Sequence, residues 1–160
     1  MLTPEERLEQ LETVFLELED ASKTTPIIVE GKKDAEALAM LGITKNVVTL
    51  SKGVSVFTFS EAISRRSRKA VVLTDWDRKG GQLARMLKEA LMNNGVVVDD
   101  RIRAQLAMLS KKEVKDIESL PRFVTHLRQL AGVGIRRPAQ PKLDRRYQGG
   151  KTILQGKGRR

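Results

Sequence analysis

Apolar residues in this chain fall into short unbroken runs that alternate with longer, interrupted ones. Thr3-Pro4-Glu5-Glu6 opens the first interrupted stretch: Thr3 suits a cap, Pro4 the first turn, and Glu6 the reciprocal position of a capping box. Leu8, Leu11, Phe15 and Leu18 then recur at helical spacing. Coiled coils need about three or four heptads, so this helix is read as packing on its own domain rather than as a dimer seam. Beyond it the pattern predicts a strand over Ile27–Glu30, a helix over Lys33–Leu41 closed by Gly42, and a strand over Val47–Leu50. A helix over Val54–Ser64 and a strand over Ala70–Thr74 follow. Gln82–Asn93 is amphipathic, with Leu83, Met86, Leu87, Ala90 and Leu91 on one face and Gly95 past its end, and Val96–Val98 is a short fourth strand. After Asp99 the pattern is helical over Arg101–Leu109, Val114–Leu120 and Arg122–Leu130. Near-continuous Val/Ile/Leu strands separated by helices predict an α/β fold: about four parallel strands covered on both faces.

The 160 residues suffice for one domain with a core plus appendages. The expected division is an N-terminal helix over 1–22 packed on the domain, the α/β domain with its C-terminal helices over 23–132, and a tail over 133–160. The tail holds Gly, Pro, Gln, Arg and Lys with few apolar groups, so it is expected to stay disordered when unbound. The formal charge of +10 is uneven: residues 1–20 carry seven acids against Arg7, whereas 133–160 carry nine basic groups against Asp144. A basic balance of this size favours polyanions, and without a basic amphipathic helix in the tail nucleic acid is preferred over a membrane surface. The absence of cysteine excludes disulfides and thiolate zinc sites. No apolar stretch approaches a bilayer span and no signal-peptide pattern opens the chain, so a soluble cytoplasmic protein is expected.

Candidate chemistry sits where two strands should end. Pro26-Ile-Ile-Val-Glu-Gly-Lys32 breaks into Glu30, and Val71-Val-Leu-Thr-Asp-Trp-Asp-Arg-Lys-Gly80 breaks into Asp75 and Asp77. Ligands in open α/β sheets collect outside the carboxyl ends of strands. In extended backbone Asp75 and Asp77 face one way and Trp76 the other. Oxygen ligands without His or Cys select Mg²⁺ or Mn²⁺. Such carboxylates also repel, raising the pKa of at least one, and a raised Glu30 would exchange protons near neutral pH.

These two segments, Ile-Ile-Val-Glu-Gly-Lys-Lys-Asp-Ala-Glu-Ala-Leu and Val-Val-Leu-Thr-Asp-Trp-Asp-Arg-Lys-Gly, resemble the signature motifs of the Toprim domain. That domain is shared by type IA and type II topoisomerases, bacterial-type primases, several nucleases, recombination-repair proteins and the ribonuclease that matures 5S ribosomal RNA. The resemblance spans about residues 26–120 and is closest to the small stand-alone Toprim proteins common in archaea. It implies a Toprim fold, a catalytic and metal-binding role for Glu30, Asp75 and Asp77, and Mg²⁺ (or Mn²⁺) as cofactor. Gly31 and Gly80 lie inside the motifs, and Gly53 stands where the family carries a glycine after its second strand. Asp116, in Lys115-Asp-Ile-Glu118, is similar to an acidic segment following the fourth strand of primases.

Features of the larger relatives are missing. Tyr147, the only tyrosine, lies in the basic tail and is read as structural or contact-making rather than as a topoisomerase nucleophile. No zinc module, polymerising domain or Walker-type loop is present. Lys32, Lys33, Lys52, Arg78 and Lys79 should lie on loops beside the carboxylates and contact nucleic-acid backbone, whereas Arg65, Arg66, Arg68 and Lys69 should lie at the opposite edge. Trp76 is read as packing rather than base-stacking, His126 as structural, and Asp34 as capping its helix. The expected function is a Mg²⁺-dependent enzyme acting on nucleic-acid phosphodiesters, a small nuclease with a possible RNA-processing role. The alternative is a non-catalytic nucleic-acid-binding module, an accessory to a larger assembly, using the same surface.

Overall fold

The computed structural model describes residues 1–50, 52–110 and 112–132. Four parallel strands form one sheet: β1 (Ile27–Val29), β2 (Val47–Thr49), β3 (Lys69–Val72) and β4 (Val97–Asp99), in the order β2-β1-β3-β4. Helices cross over between them: α2 (Lys32–Met40), α3 (Val56–Arg66) and α4 (Arg78–Asn93). The N-terminal α1 (Pro4–Ser22) and the terminal α5 (Arg101–Ser110) and α6 (Leu120–Leu130) complete the chain.

The unbroken apolar runs exist because both faces of the sheet are covered. Ile27, Val29, Val71 and Leu73 point into one layer with Leu11, Leu18, Leu38, Leu106 and Phe123. Ile28, Ala70 and Val72, the alternate positions, point into a second layer with Phe59, Ile63, Leu87 and Leu91. α1 belongs to the first layer and packs on α5 and α6 with Leu11 and Leu18 fully buried, so its apolar stripe serves its own domain. Its start is as read: Thr3 Oγ1 accepts from the Glu6 N–H at 3.1 Å, and Glu6 Oε1 accepts from the Thr3 N–H at 2.9 Å.

Element boundaries fall within about two residues of the sequence reading except in two places, both beside the carboxylates. α4 begins at Arg78, because Asp77 caps it by accepting the Gly80 N–H at 2.7 Å. Arg78 and Lys79 therefore lie in a helical first turn, as do Lys32 and Lys33. Val114–Ser119 is not helical. Its buried Val114, Ile117 and Leu120 recur every three residues and imitate a helix, but its backbone groups bond elsewhere. The Val114 and Lys115 carbonyls accept from Trp76, and the Ile117 N–H donates to Asp75.

The strand order has one consequence for function. From β1 the chain moves outward to β2, and from β3 it moves outward the other way to β4, so β1 and β3 flank the point where the winding reverses. Crevices in doubly wound sheets open at such a reversal, beyond the carboxyl ends of the strands. Glu30 follows β1 there, and Asp75 follows β3. Among the described residues no helix is long and apolar enough to cross a membrane. The basic tail over 133–160, with Tyr147, lies outside the described residues.

Candidate functional site

The two strand ends are joined directly. Glu30 Oε2 accepts the backbone N–H of Asp75 at 2.9 Å, across 45 positions of sequence. Just below, the ladder bond from Leu73 N–H to Ile28 O measures 2.8 Å, so the Glu30 carboxylate continues the β1–β3 pairing by one step. Asp75 Oδ1 accepts the Ile117 N–H at 3.1 Å. Trp76 turns away from the carboxylates into the first core layer, where its Nε1–H donates to Val114 O at 2.8 Å and to Ser110 Oγ at 3.1 Å. The alternation expected of Asp-Trp-Asp thus places Trp76 as a peg for the segment after α5. Trp76→Phe removes that ring donor while keeping the aromatic bulk. It is expected to cost about 1–2 kcal/mol in chemical denaturation, the scale of a lost buried hydrogen bond.

The turn between β3 and α4 is held from both sides. Arg103, on α5, reaches back to donate from Nε to Thr74 O at 3.0 Å and from Nη2 to Asp75 O at 2.7 Å. The buried Thr74 hydroxyl donates to Gly80 O at 2.8 Å, tying the turn to the first turn of α4. A Cβ on Gly80 would stand 1.9 Å from the Asp75 carbonyl oxygen, so the close approach of α4 to the turn requires glycine there. Gly53 has φ +81°, a left-handed conformation that favours glycine after β2. At Gly31 a Cβ would meet nothing within 4 Å, and its N–H donates to Asp34 Oδ2 at 3.1 Å, so Asp34 does cap α2.

Arg103 went unnoticed in the sequence. It acts on backbone carbonyls about 28 positions away, and no residue type marks such a contact.

Electrostatically Asp75 and Asp34 sit close to other carboxylates and partly out of water. Burial first, then the charges of Glu30, Asp34 and Asp116, outweigh the Ile117 N–H and push the Asp75 carboxyl up to about 7. Burial likewise raises Asp34 against the Gly31 N–H, helped by Glu30, Glu118 and Asp116. The sequence reading expects mutual repulsion to raise at least one carboxyl of the set; the raised one is Asp75, and burial is the larger cause with the neighbouring carboxylates adding to it. Burial lowers the pKa of Arg103, against the opposing pull of Asp100, Asp75, Glu30 and Asp77.

Among the described residues, no three acidic or histidine side chains converge closely enough to hold a metal as they stand. Glu30 and Asp75 are brought together, whereas the Asp77 carboxylate is engaged at the start of α4. Lys32, Lys33, Lys52, Arg78 and Lys79 are all exposed around this edge, four of them in the first turns of α2 and α4. Arg65, Arg66, Arg68 and Lys69 lie at the other edge, before or at the start of β3. His126 is exposed on α6.

A four-stranded parallel sheet with this order, carrying Glu30 and the Asp75–Asp77 pair at its winding reversal, defines a class, and the chain belongs to it: it is a Toprim-domain protein, matching that family over residues 25–109. Within the class it groups with the UPF0292 proteins. It is 43% identical over 128 residues to the UPF0292 protein of Methanosarcina acetivorans, covering 79% of this chain and 88% of that one. To the UPF0292 protein of Methanocaldococcus jannaschii it is 33% identical over 120 residues, covering 75% and 94%. A solved structure of a protein from Aquifex aeolicus superposes with a TM-score of 0.59 at 32% identity, covering 68% of this chain and 96% of that one.

Proposed function

We propose that this chain is a Mg²⁺-dependent enzyme acting on nucleic-acid phosphodiesters, a small Toprim nuclease. The observation that carries the reading is the joining of Glu30 to the Asp75 turn at the winding reversal, within a rim of exposed Lys and Arg side chains. A metal-dependent, nucleic-acid-related role is what membership of the Toprim family supports.

The residues fit the metal the family implies. The donors are hard oxygens, the half-buried Asp75 sits among other carboxylates that help hold its pKa up, and Mg²⁺ commonly takes only one or two carboxylates with waters and phosphate completing its shell. Glu30 and Asp75 would hold it, with Asp77 adjoining. When bound, the ion would neutralise charge developing on a phosphoryl group. The chain's own groups supply the remainder. Glu30 has one carboxylate oxygen on the Asp75 N–H, and among the described residues its Oε1 makes no hydrogen bond, leaving that oxygen to hold or pass a proton. Lys32, Lys33, Lys52, Arg78 and Lys79, with the N–H groups opening α2 and α4, bind backbone phosphate. Arg103 is a positioning residue, fixing the carbonyls on which the Asp75 turn hangs.

The test is incubation of labelled single- and double-stranded RNA and DNA with wild type and Glu30→Gln, with and without Mg²⁺ or Mn²⁺. Metal-dependent cleavage is expected, reduced at least about a hundredfold by the substitution with binding retained. A second reading, an accessory module that binds without cleaving, is favoured by the engagement of Asp77 as a helix cap. Binding without turnover by both proteins on every substrate would establish it in place of the first.

A further inference from the structure

One apolar feature of the same edge has no part in the fold. α3 starts from the same carboxyl edge of the sheet: the Leu50 N–H donates to Val29 O at 3.2 Å, so Leu50 stands level with Glu30 on the neighbouring strand, and the chain then passes Lys52 and Gly53 to the Ser55 cap of α3. Val54 lies four residues past Leu50 and therefore within about 14 Å of it. At the start of this helix Phe57 is 61% exposed and Val54 44% exposed. The core stripe of α3 runs instead through Phe59 and Ile63, which pack under Leu87 and Leu91. The other phenylalanines, Phe15, Phe59 and Phe123, are buried, and the Trp76 indole is bonded inward. Among the described residues Phe57 is the only exposed Phe, Trp or Tyr side chain.

We propose that Phe57, with Val54 beside it, is a stacking ledge for an unpaired base, which makes single-stranded nucleic acid the substrate class of this edge. The inference rests on reading the acidic edge as a nucleic-acid site and adds to it the state of the strand. An aromatic face gains from a base whose own face is free, whereas bases inside a duplex are already stacked on their neighbours. The surroundings suit a nucleotide better than a protein. Lys52 lies between Leu50 and Val54, Lys32 and Lys33 open α2 after the adjacent strand, and all three are exposed. Two apolar side chains next to Lys52, with Lys32 and Lys33 across the sheet edge at the start of α2, are far smaller than the roughly 1,000 Å² that a stable protein interface buries. A strand laid across the carboxyl ends of β2 and β1 would bring one base to Phe57, its phosphates toward Lys52, Lys32 and Lys33, and a phosphodiester further along to Glu30 and Asp75.

The experiment uses the full chain carrying Glu30→Gln, in Mg²⁺, so that binding is read without cleavage. Fluorescence anisotropy compares a mixed-sequence single strand with its own duplex, as DNA and as RNA, and 2-aminopurine in the single strand reports stacking. Phe57→Ala is expected to weaken single-strand binding about tenfold. Duplex binding should stay within about twofold, since stacking on an exposed ring adds nothing there. Phe57→Trp should restore the affinity, and 2-aminopurine quenching should vanish only in the alanine variant. Because Phe57 is exposed, the thermal melt should not move. An equal loss on both substrates, an unchanged single-strand affinity, or a dimer that dissociates on Phe57→Ala in light scattering would each overturn the stacking ledge while leaving the acidic edge as a nucleic-acid site. Absence of binding to any strand by the Glu30→Gln chain would overturn both together.

Discussion

Replacing Gly80 by alanine is expected to destabilise the protein by about 3 kcal/mol or more, beyond the usual cost of an overpacked core. A Cβ there would stand 1.9 Å from the Asp75 carbonyl oxygen and 2.5 Å from its carbon, and these are backbone atoms that no rotamer change can move aside. Both neighbours are held. The Asp75 carbonyl accepts from Arg103, and the Gly80 peptide is bonded on either side, its N–H to Asp77 and its carbonyl to the Thr74 hydroxyl. Relief therefore requires α4 to withdraw from the turn, which undoes the cap and the arrangement of Asp75 and Asp77 along with it. The melting temperature should fall by about 6–12 °C for a domain of this size. Gly81→Ala is the control one position on. Its Cβ would meet only Arg103 Nη2 at 3.7 Å, an ordinary contact, within a helix that gains up to about 1 kcal/mol from losing a glycine. Equal melting temperatures for the two variants would mean that α4 does not need to approach the Asp75 turn so closely.

That contrast also shows what a sequence can and cannot disclose here. Strand positions were legible because burial on both faces leaves unbroken apolar runs, as at Ile27–Val29 and Ala70–Val72. Glu30 and Asp75 stood out in the sequence because each ends an apolar run in a carboxylate, although each also accepts a backbone N–H that helps hold the edge together. The start of α4 was missed because Asp77 looked like a ligand alone, when its side chain also caps the helix. Val114–Leu120 was misread because its apolar spacing matches a helix while its backbone bonds to Trp76 and Asp75, about 38–42 positions away. Arg103 and Phe57 were invisible for a related reason. An arginine bonded to carbonyls and a phenylalanine left in solvent are distinguished only by where the fold places them.

Asp75→Asn should separate stability from metal response in opposite directions. In metal-free protein the folded chain holds a proton on Asp75 up to about pH 7, against an ordinary value of 3.8. Between those values the folded state binds more protons than the unfolded one, so stability is greatest below about pH 4 and falls as pH rises through about 7. The full shift would correspond to about 4 kcal/mol, but the side chain is only half-buried, and screening by water reduces the expected loss to about 1–2 kcal/mol. Asparagine removes the titrating charge and keeps an oxygen to accept the Ile117 N–H, so in chelator at pH 8 the variant should be the more stable protein by about that amount. Its stability should also fall less than the wild type's from pH 5 to 8, the raised Asp34 carboxyl being still present. Added Mg²⁺ reverses the order: an ion that binds only the folded state raises wild-type stability in proportion to its occupancy, about 2.7 kcal/mol at a hundred times its dissociation constant. The variant, lacking the buried charge that favours the cation, should show no such rise and should lose metal-dependent turnover at least as completely as Glu30→Gln. Denaturation curves at pH 5 and pH 8, with chelator and with Mg²⁺, read all of this. A wild type whose metal-free stability does not fall between the two pH values would remove the buried-charge account of Asp75, and an equal Mg²⁺ shift in both proteins would remove Asp75 from the metal's ligands.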